Sequence, residues 1–163
     1  MTRPRYEKAR DLIRERQVAK ALERDLITRG CANLTFEKLP KESHIDWVIK
    51  LHGKGVILFE VKCRDNLRFD YDTYMISKEK IDRSLEISQR VHLPYFLIVR
   101  WTDGTYGKEI TEPSSDVRWG GRYDRGDDAD EEEVYHWPSS EFNLRLHMPG
   151  VLSFAEETLA ALN

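Results

Sequence analysis

Two stretches of this 163-residue chain decide its reading: His44-Ile45-Asp46-Trp47-Val48-Ile49 and, a turn later, Val56-Ile57-Leu58-Phe59-Glu60-Val61-Lys62. Both are rich in β-branched and aromatic residues, and Gly53 and Gly55 lie between them, which predicts a β-hairpin. The second stretch is apolar almost without a break, the pattern of a strand covered on both faces. Asp46, Glu60 and Lys62 interrupt that pattern. Charges in covered strands need partners, a metal or a chemical role.

Register decides whether these charges meet. Taking His52-Gly53-Lys54 as the loop sets Leu51 opposite Gly55 and Asp46 opposite Glu60, with Cβ atoms roughly 5 Å apart. Alternation then places Val48, Val56, Leu58 and Lys62 on the same face, and Ile45, Trp47, Ile49, Ile57, Phe59 and Val61 on the other. A two-residue His52-Gly53 turn without a bulge would shift the register by one and separate Asp46 from Glu60.

Two carboxylates so placed repel unless one is protonated or a cation sits between them. Oxygen ligands completed by water and phosphate oxygens suit Mg²⁺, with Mn²⁺ as a substitute, whereas zinc prefers His and Cys. Lys62, two residues after Glu60, points into the same place, where it orients water or offsets charge growing on a phosphorane-like transition state. This is the chemistry of phosphodiester hydrolysis. The plainer alternative is a surface ion-pair ladder of small energetic consequence.

Asp46 followed, after a hairpin-length gap, by Glu60-Val61-Lys62 resembles the PD-(D/E)XK nuclease superfamily, and the similar stretch runs from about Gln17 to Trp101. The resemblance implies a three-layer α/β/α sandwich with a central mixed β-sheet, a restriction-endonuclease-like core. It further implies that Asp46 and Glu60 ligate metal, that Val61 offers its carbonyl, that Lys62 is the catalytic lysine, and that Glu23 is the additional glutamate supplied by the preceding helix. Ile45 stands where the family pattern has proline. Small Holliday junction resolvases and phage nucleases are the members nearest in size.

The remaining elements fit around the hairpin. Tyr6 to about Arg29 contains no Pro or Gly, and Leu12, Ala19, Leu22 and Leu26 lie near helical spacing, predicting a long helix that ends at Gly30. Asn33 to Leu39 reads as a strand. Ser77 caps a predicted helix running to Val91, with Ile81, Leu85 and Ser88 along one side. Pro94 to Trp101 reads as a buried strand and Asp103-Gly104 as a turn. The helix between strands allows a right-handed crossover to a parallel neighbour. The expected core spans about residues 17–110, with a loop-rich extension over 111–163 containing one edge strand at Val134–Trp137 and a short helix at Phe154–Leu162.

Composition bounds the rest. A chain of this size with 40% hydrophobic residues is expected to form one domain. No apolar stretch is long enough to span a membrane, and two cysteines, Cys31 and Cys63, give no disulfide framework, so a reduced, cytoplasmic setting is expected. His44 falls opposite Lys62 in the assumed register, either beside the site or as an exposed strand end. Formal net charge is −3, but six of the seven residues from Asp127 to Glu133 are acidic, and residues 1–30 hold nine Lys or Arg against five Asp or Glu. The first helix therefore offers Arg10, Arg14, Lys20 and Arg24 to phosphates or to solvated ion pairs.

The expected activity is Mg²⁺-dependent hydrolysis of DNA by a structure-selective endonuclease of recombination or repair, with branched DNA as substrate and a homodimer to address two strands. Lys78 and Lys80, at the N-terminus of the second helix, are candidate phosphate contacts. Arg118, Arg122 and Arg125, interleaved with Trp119 and Tyr123, are candidate contacts for phosphates and unstacked bases, or ordinary loop residues. A binding module that has lost catalysis, an exonuclease and a restriction-type enzyme would share the same core.

Overall fold

An apolar stripe of Val18, Ala19, Leu22 and Leu26 builds the first layer, on helix α1 (Ala9–Thr28). The computed structural model describes residues 9–28, 30–40, 42–121 and 131–145. Strand β1 (Leu34–Lys38) follows and pairs antiparallel with β2 (Trp47–Leu51), which turns into β3 (Lys54–Cys63). The hairpin turn is His52-Gly53 alone, with φ of 50° and 78°, the positive values a two-residue type I′ turn requires.

That turn is shorter than the predicted loop and would by itself have split the carboxylates. A bulge cancels it. Leu51 pairs with Lys54 and Lys50 with Gly55, but Ile49 pairs with Ile57, so Val56 is the extra residue. Beyond the bulge Val48 faces Leu58 and Trp47 faces Phe59, and the next step brings Asp46 to Glu60. Two residues leave their predicted faces as a result. Val56, in the bulge, joins the core beneath α1, and Ile45, in the bend before β2 where alternation does not hold, packs with Val48 and Leu58.

Strand β4 (Thr73–Ser77) leads into α2 (Lys78–Val91), whose N-cap Ser77 accepts from Lys80 N at 3.4 Å, and then come β5 (Tyr95–Trp101) and β6 (Gly104–Glu109). The chain continues through β7 (Asp116–Gly121) and β8 (Glu131–Pro138) to the short β9 (Leu144–Arg145). The main sheet has the order β1-β2-β3-β5-β6-β9 and is mixed, since β3 and β5 are parallel. A second sheet, β4-β8-β7, lies with α2 over its other face. The α/β/α sandwich is therefore present, with one outer layer part helix and part sheet.

The loop-rich extension is a correction. Through β7, β8 and β9 the segment after residue 110 completes both sheets, and β8 is central in its sheet rather than an edge. Its buried Tyr135 and Trp137 and the fully buried Phe142 pack with Tyr74, Trp101 and Ile81. No alternation marks strand β7 in the sequence, because Val117, Arg118 and Trp119 are all exposed and burial impresses no period of two on them. The predicted helix at Phe154–Leu162 lies outside the described residues. Among them, no helix is long and apolar enough to cross a membrane.

Candidate active site

Three carboxylates and three ammonium groups gather where β2 and β3 begin to part beside the N-terminus of α2. Glu60, fully buried on β3, lies 2.9 Å from Lys62 Nζ through Oε1 and accepts a 3.0 Å hydrogen bond from the Tyr95 hydroxyl through Oε2. Lys80 Nζ reaches across from α2 to Glu60 Oε2 at 3.5 Å and to Asp46 Oδ1 at 3.3 Å. Asp46 Oδ1 is also 3.9 Å from Lys38 Nζ on β1. Glu15, buried on α1, comes within 3.9 Å of Lys62 Nζ through Oε1.

The electrostatics follow from burial and crowding. Burial, offset by Lys62 and reinforced by Asp46 and Glu60, pushes the Glu15 carboxyl from 4.5 up to about 7. Lys62 also moves up: burial works against its charge, but Glu60, Asp46 and Glu15 outweigh it and hold the ammonium above its ordinary range. In this arrangement Lys62 is a hydrogen-bond donor and a positive charge beside Glu60. Burial and the neighbouring Glu60 charge likewise keep the Tyr95 hydroxyl protonated well beyond its usual value.

The donor set fits a hard divalent cation. Glu15 Oε2 and Asp46 Oδ2 are buried without a hydrogen-bond partner, a costly state for carboxylate oxygens, and Glu60 Oε1 is met by the Lys62 ammonium. Oxygens of this kind suit Mg²⁺ or Mn²⁺. Among the described residues, no three carboxylate, His or Cys groups stand at mutual ligand spacing. The carboxylates are instead interleaved with ammonium groups.

Several sequence candidates lie elsewhere. Glu23 accepts from Phe36 N at 2.7 Å and pairs with Lys20, tying α1 to β1; the structure brings Glu15 to the cluster in its place. The signal was present, since Glu15 lies on the apolar stripe of α1, four residues before Ala19 and seven before Leu22, and Glu23 lies beside it. Val61 is buried under α1 between Glu60 and Lys62. Lys80 joins the carboxylates rather than facing outward, whereas Lys78 pairs with Asp82 at 2.6 Å. Arg118 is exposed and held by both Asp116 oxygens at 2.8 and 2.9 Å; Arg122 and Arg125 lie outside the described residues. The His44 ring meets Arg83 at 3.2 Å. Lys38 carried no sequence signal beyond its place at the end of a strand.

Comparison with known proteins agrees with this architecture. Among solved structures, Hjc from Archaeoglobus fulgidus, a Holliday junction resolvase, superimposes with a TM-score of 0.55 at 11% identity, covering 86% of this chain and 96% of its own. At that identity the likeness is one of fold. No curated protein sequence matches the chain. The family described as "Phage putative PDDEXK endonuclease" matches residues 1–145. The chain belongs to this PD-(D/E)XK family.

Proposed function

We propose that the protein is a metal-dependent endonuclease acting on DNA. The observation that carries this reading is the buried pair Asp46 and Glu60, with Lys62 at 2.9 Å from Glu60 and Asp46 Oδ2 left without a hydrogen-bond partner. Glu15, Asp46 and Glu60 would hold one or two Mg²⁺ or Mn²⁺ ions, with the Val61 carbonyl as a further ligand. A bound ion would supply acidity to the attacking water and positive charge against the phosphate. Lys62, fixed as a cation, donates to that water or to a phosphate oxygen as negative charge accumulates. Tyr95, by donating to Glu60 Oε2, fixes the carboxylate's orientation.

Branched DNA is the proposed substrate. The connection between β3 and β4, starting two residues after Lys62, exposes Leu67, Phe69 and Tyr71 by 49, 58 and 68%, and exposed aromatic rings that follow the candidate centre so closely in sequence suit unstacked bases at a branch point. The resolvase likeness in fold is compatible with this choice, and two copies of the chain would address two strands symmetrically. The test is cleavage of linear duplex, single-stranded and four-way-junction DNA with Mg²⁺ or Mn²⁺, beside Asp46→Ala and Lys62→Ala proteins. Cutting by the parent alone, fastest on the junction, is expected. Full activity in either variant overturns the mechanism, and a parent that shifts DNA in a gel but cuts none of the three is a binding module.

A further inference from the structure

The three ammonium groups do not hold equivalent places. Lys62 stands on the central strand with Glu60 on one side and Glu15 on the other. Lys38 meets Asp46 at 3.9 Å and lies over the Trp47 ring at 5.5 Å. Lys80 alone bridges Asp46 and Glu60, and it does so from the first turn of α2, outside the sheet that carries both carboxylates.

Resting on the nuclease reading, we infer that Lys80 is a displaceable counter-ion: its ammonium holds Asp46 and Glu60 in the metal-free protein and leaves them when a divalent cation enters. Two facts of charge and size require the exchange. An ammonium 3.3 and 3.5 Å from the two oxygens occupies the gap that a cation coordinated at about 2.1 Å would need. With all three carboxylates ionised, they cancel the three ammoniums, so a divalent ion added without loss of a cation leaves an excess of two in a buried site. With Lys80 withdrawn and one phosphate charge delivered, the balance returns to zero. Withdrawal is structurally easy, because the lysine chain is long and its swing disturbs no strand pairing.

The exchange sets a cost on metal binding that Lys80→Met removes. Titration calorimetry of the DNA-free protein with Mn²⁺ is expected to give a dissociation constant about tenfold or more lower for Lys80→Met than for the parent. Lys38→Met is expected to change it much less. In EDTA the Lys80→Met protein should melt below the parent, because Asp46 and Glu60 then repel without a bridge, and saturating Mn²⁺ should close that gap. Should Lys80→Met fold poorly, Lys80→Gln serves in the same titration. Unchanged or weaker Mn²⁺ binding in both variants, including no binding by any of the proteins, overturns the inference. The titration uses no substrate, so a parent that cuts no DNA ends the nuclease reading while the affinities still decide the role of Lys80.

Discussion

At the scale of residues, Glu15 is the clearest case of stability given up for a site. Its folded-state carboxyl titrates at about 7 against an ordinary 4.5, so the folded protein binds that proton more tightly than the unfolded chain. Its contribution is therefore most favourable below pH 4.5, declines as pH rises through the interval to 7, and levels off above. Glu15→Gln in EDTA should gain stability at pH 8, by up to about 3 kcal/mol, and gain nothing near pH 4, as read by urea unfolding. The same variant should lose cleavage by at least about a hundredfold. Glu23→Ala should do the opposite, leaving cleavage intact and costing about 1–2 kcal/mol through the lost bond to Phe36 N. Residue type and spacing were enough to single out Asp46, Glu60 and Lys62, because charge in an apolar strand is conspicuous. Which glutamate of α1 lies beside the cluster does not follow from resemblance, since a helix rotates by about 100° per residue and only the buried stripe says which carboxylate turns inward.

At the scale of elements, the site depends on how α2 is anchored. Ser77 caps the helix at Lys80 N and donates to Glu132 Oε2 at 2.9 Å, while Ser84, fully buried, donates to Lys80 O at 2.8 Å or to His44 O at 3.1 Å. The His44 carbonyl lies two residues before Asp46, so Ser84 ties the helix to the segment that delivers the carboxylate. Ser77→Ala should cost about 1 kcal/mol in urea unfolding. Ser84→Ala should cost a similar amount, and its cleavage rate should fall further than that of Ser77→Ala because Asp46 loses a tether. The hairpin shows how legibility can be partial. The sequence pattern correctly brought Asp46 to Glu60, although the turn is one residue shorter than expected and a bulge at Val56 makes up the difference. Alternation reports the parity of a strand pair, and parity is insensitive to how a turn and a bulge share the odd residue.

At the scale of the whole molecule, the described residues gather three buried carboxylates, and Glu15 and Asp46 each keep an oxygen without a hydrogen-bond partner, so a cation should stabilise the fold. Mn²⁺ at one hundred times its dissociation constant should add about 2.7 kcal/mol to unfolding, measurable as a rise in melting temperature that Asp46→Ala abolishes. The layers on either side of the central sheet were legible from helical and strand periods, but the second sheet was not. Its strand β4 is five residues long, and its partner β8 lies more than fifty residues further along the chain, a pairing that no local pattern announces. That separation has a consequence for the order in which the protein is made. The Asp46-to-Lys62 motif is complete when residue 62 has been synthesised, but the strand that seats β4, and with it the start of α2 and Lys80, does not exist until residue 138. Assembly of the centre is a high-contact-order event, so a chain ended at Ile110 should carry the whole motif and yet fail to protect its β4 amides from hydrogen exchange. The carboxylates and Lys62 are in the chain by residue 62, and the strand that holds Lys80 against them arrives only with residue 138.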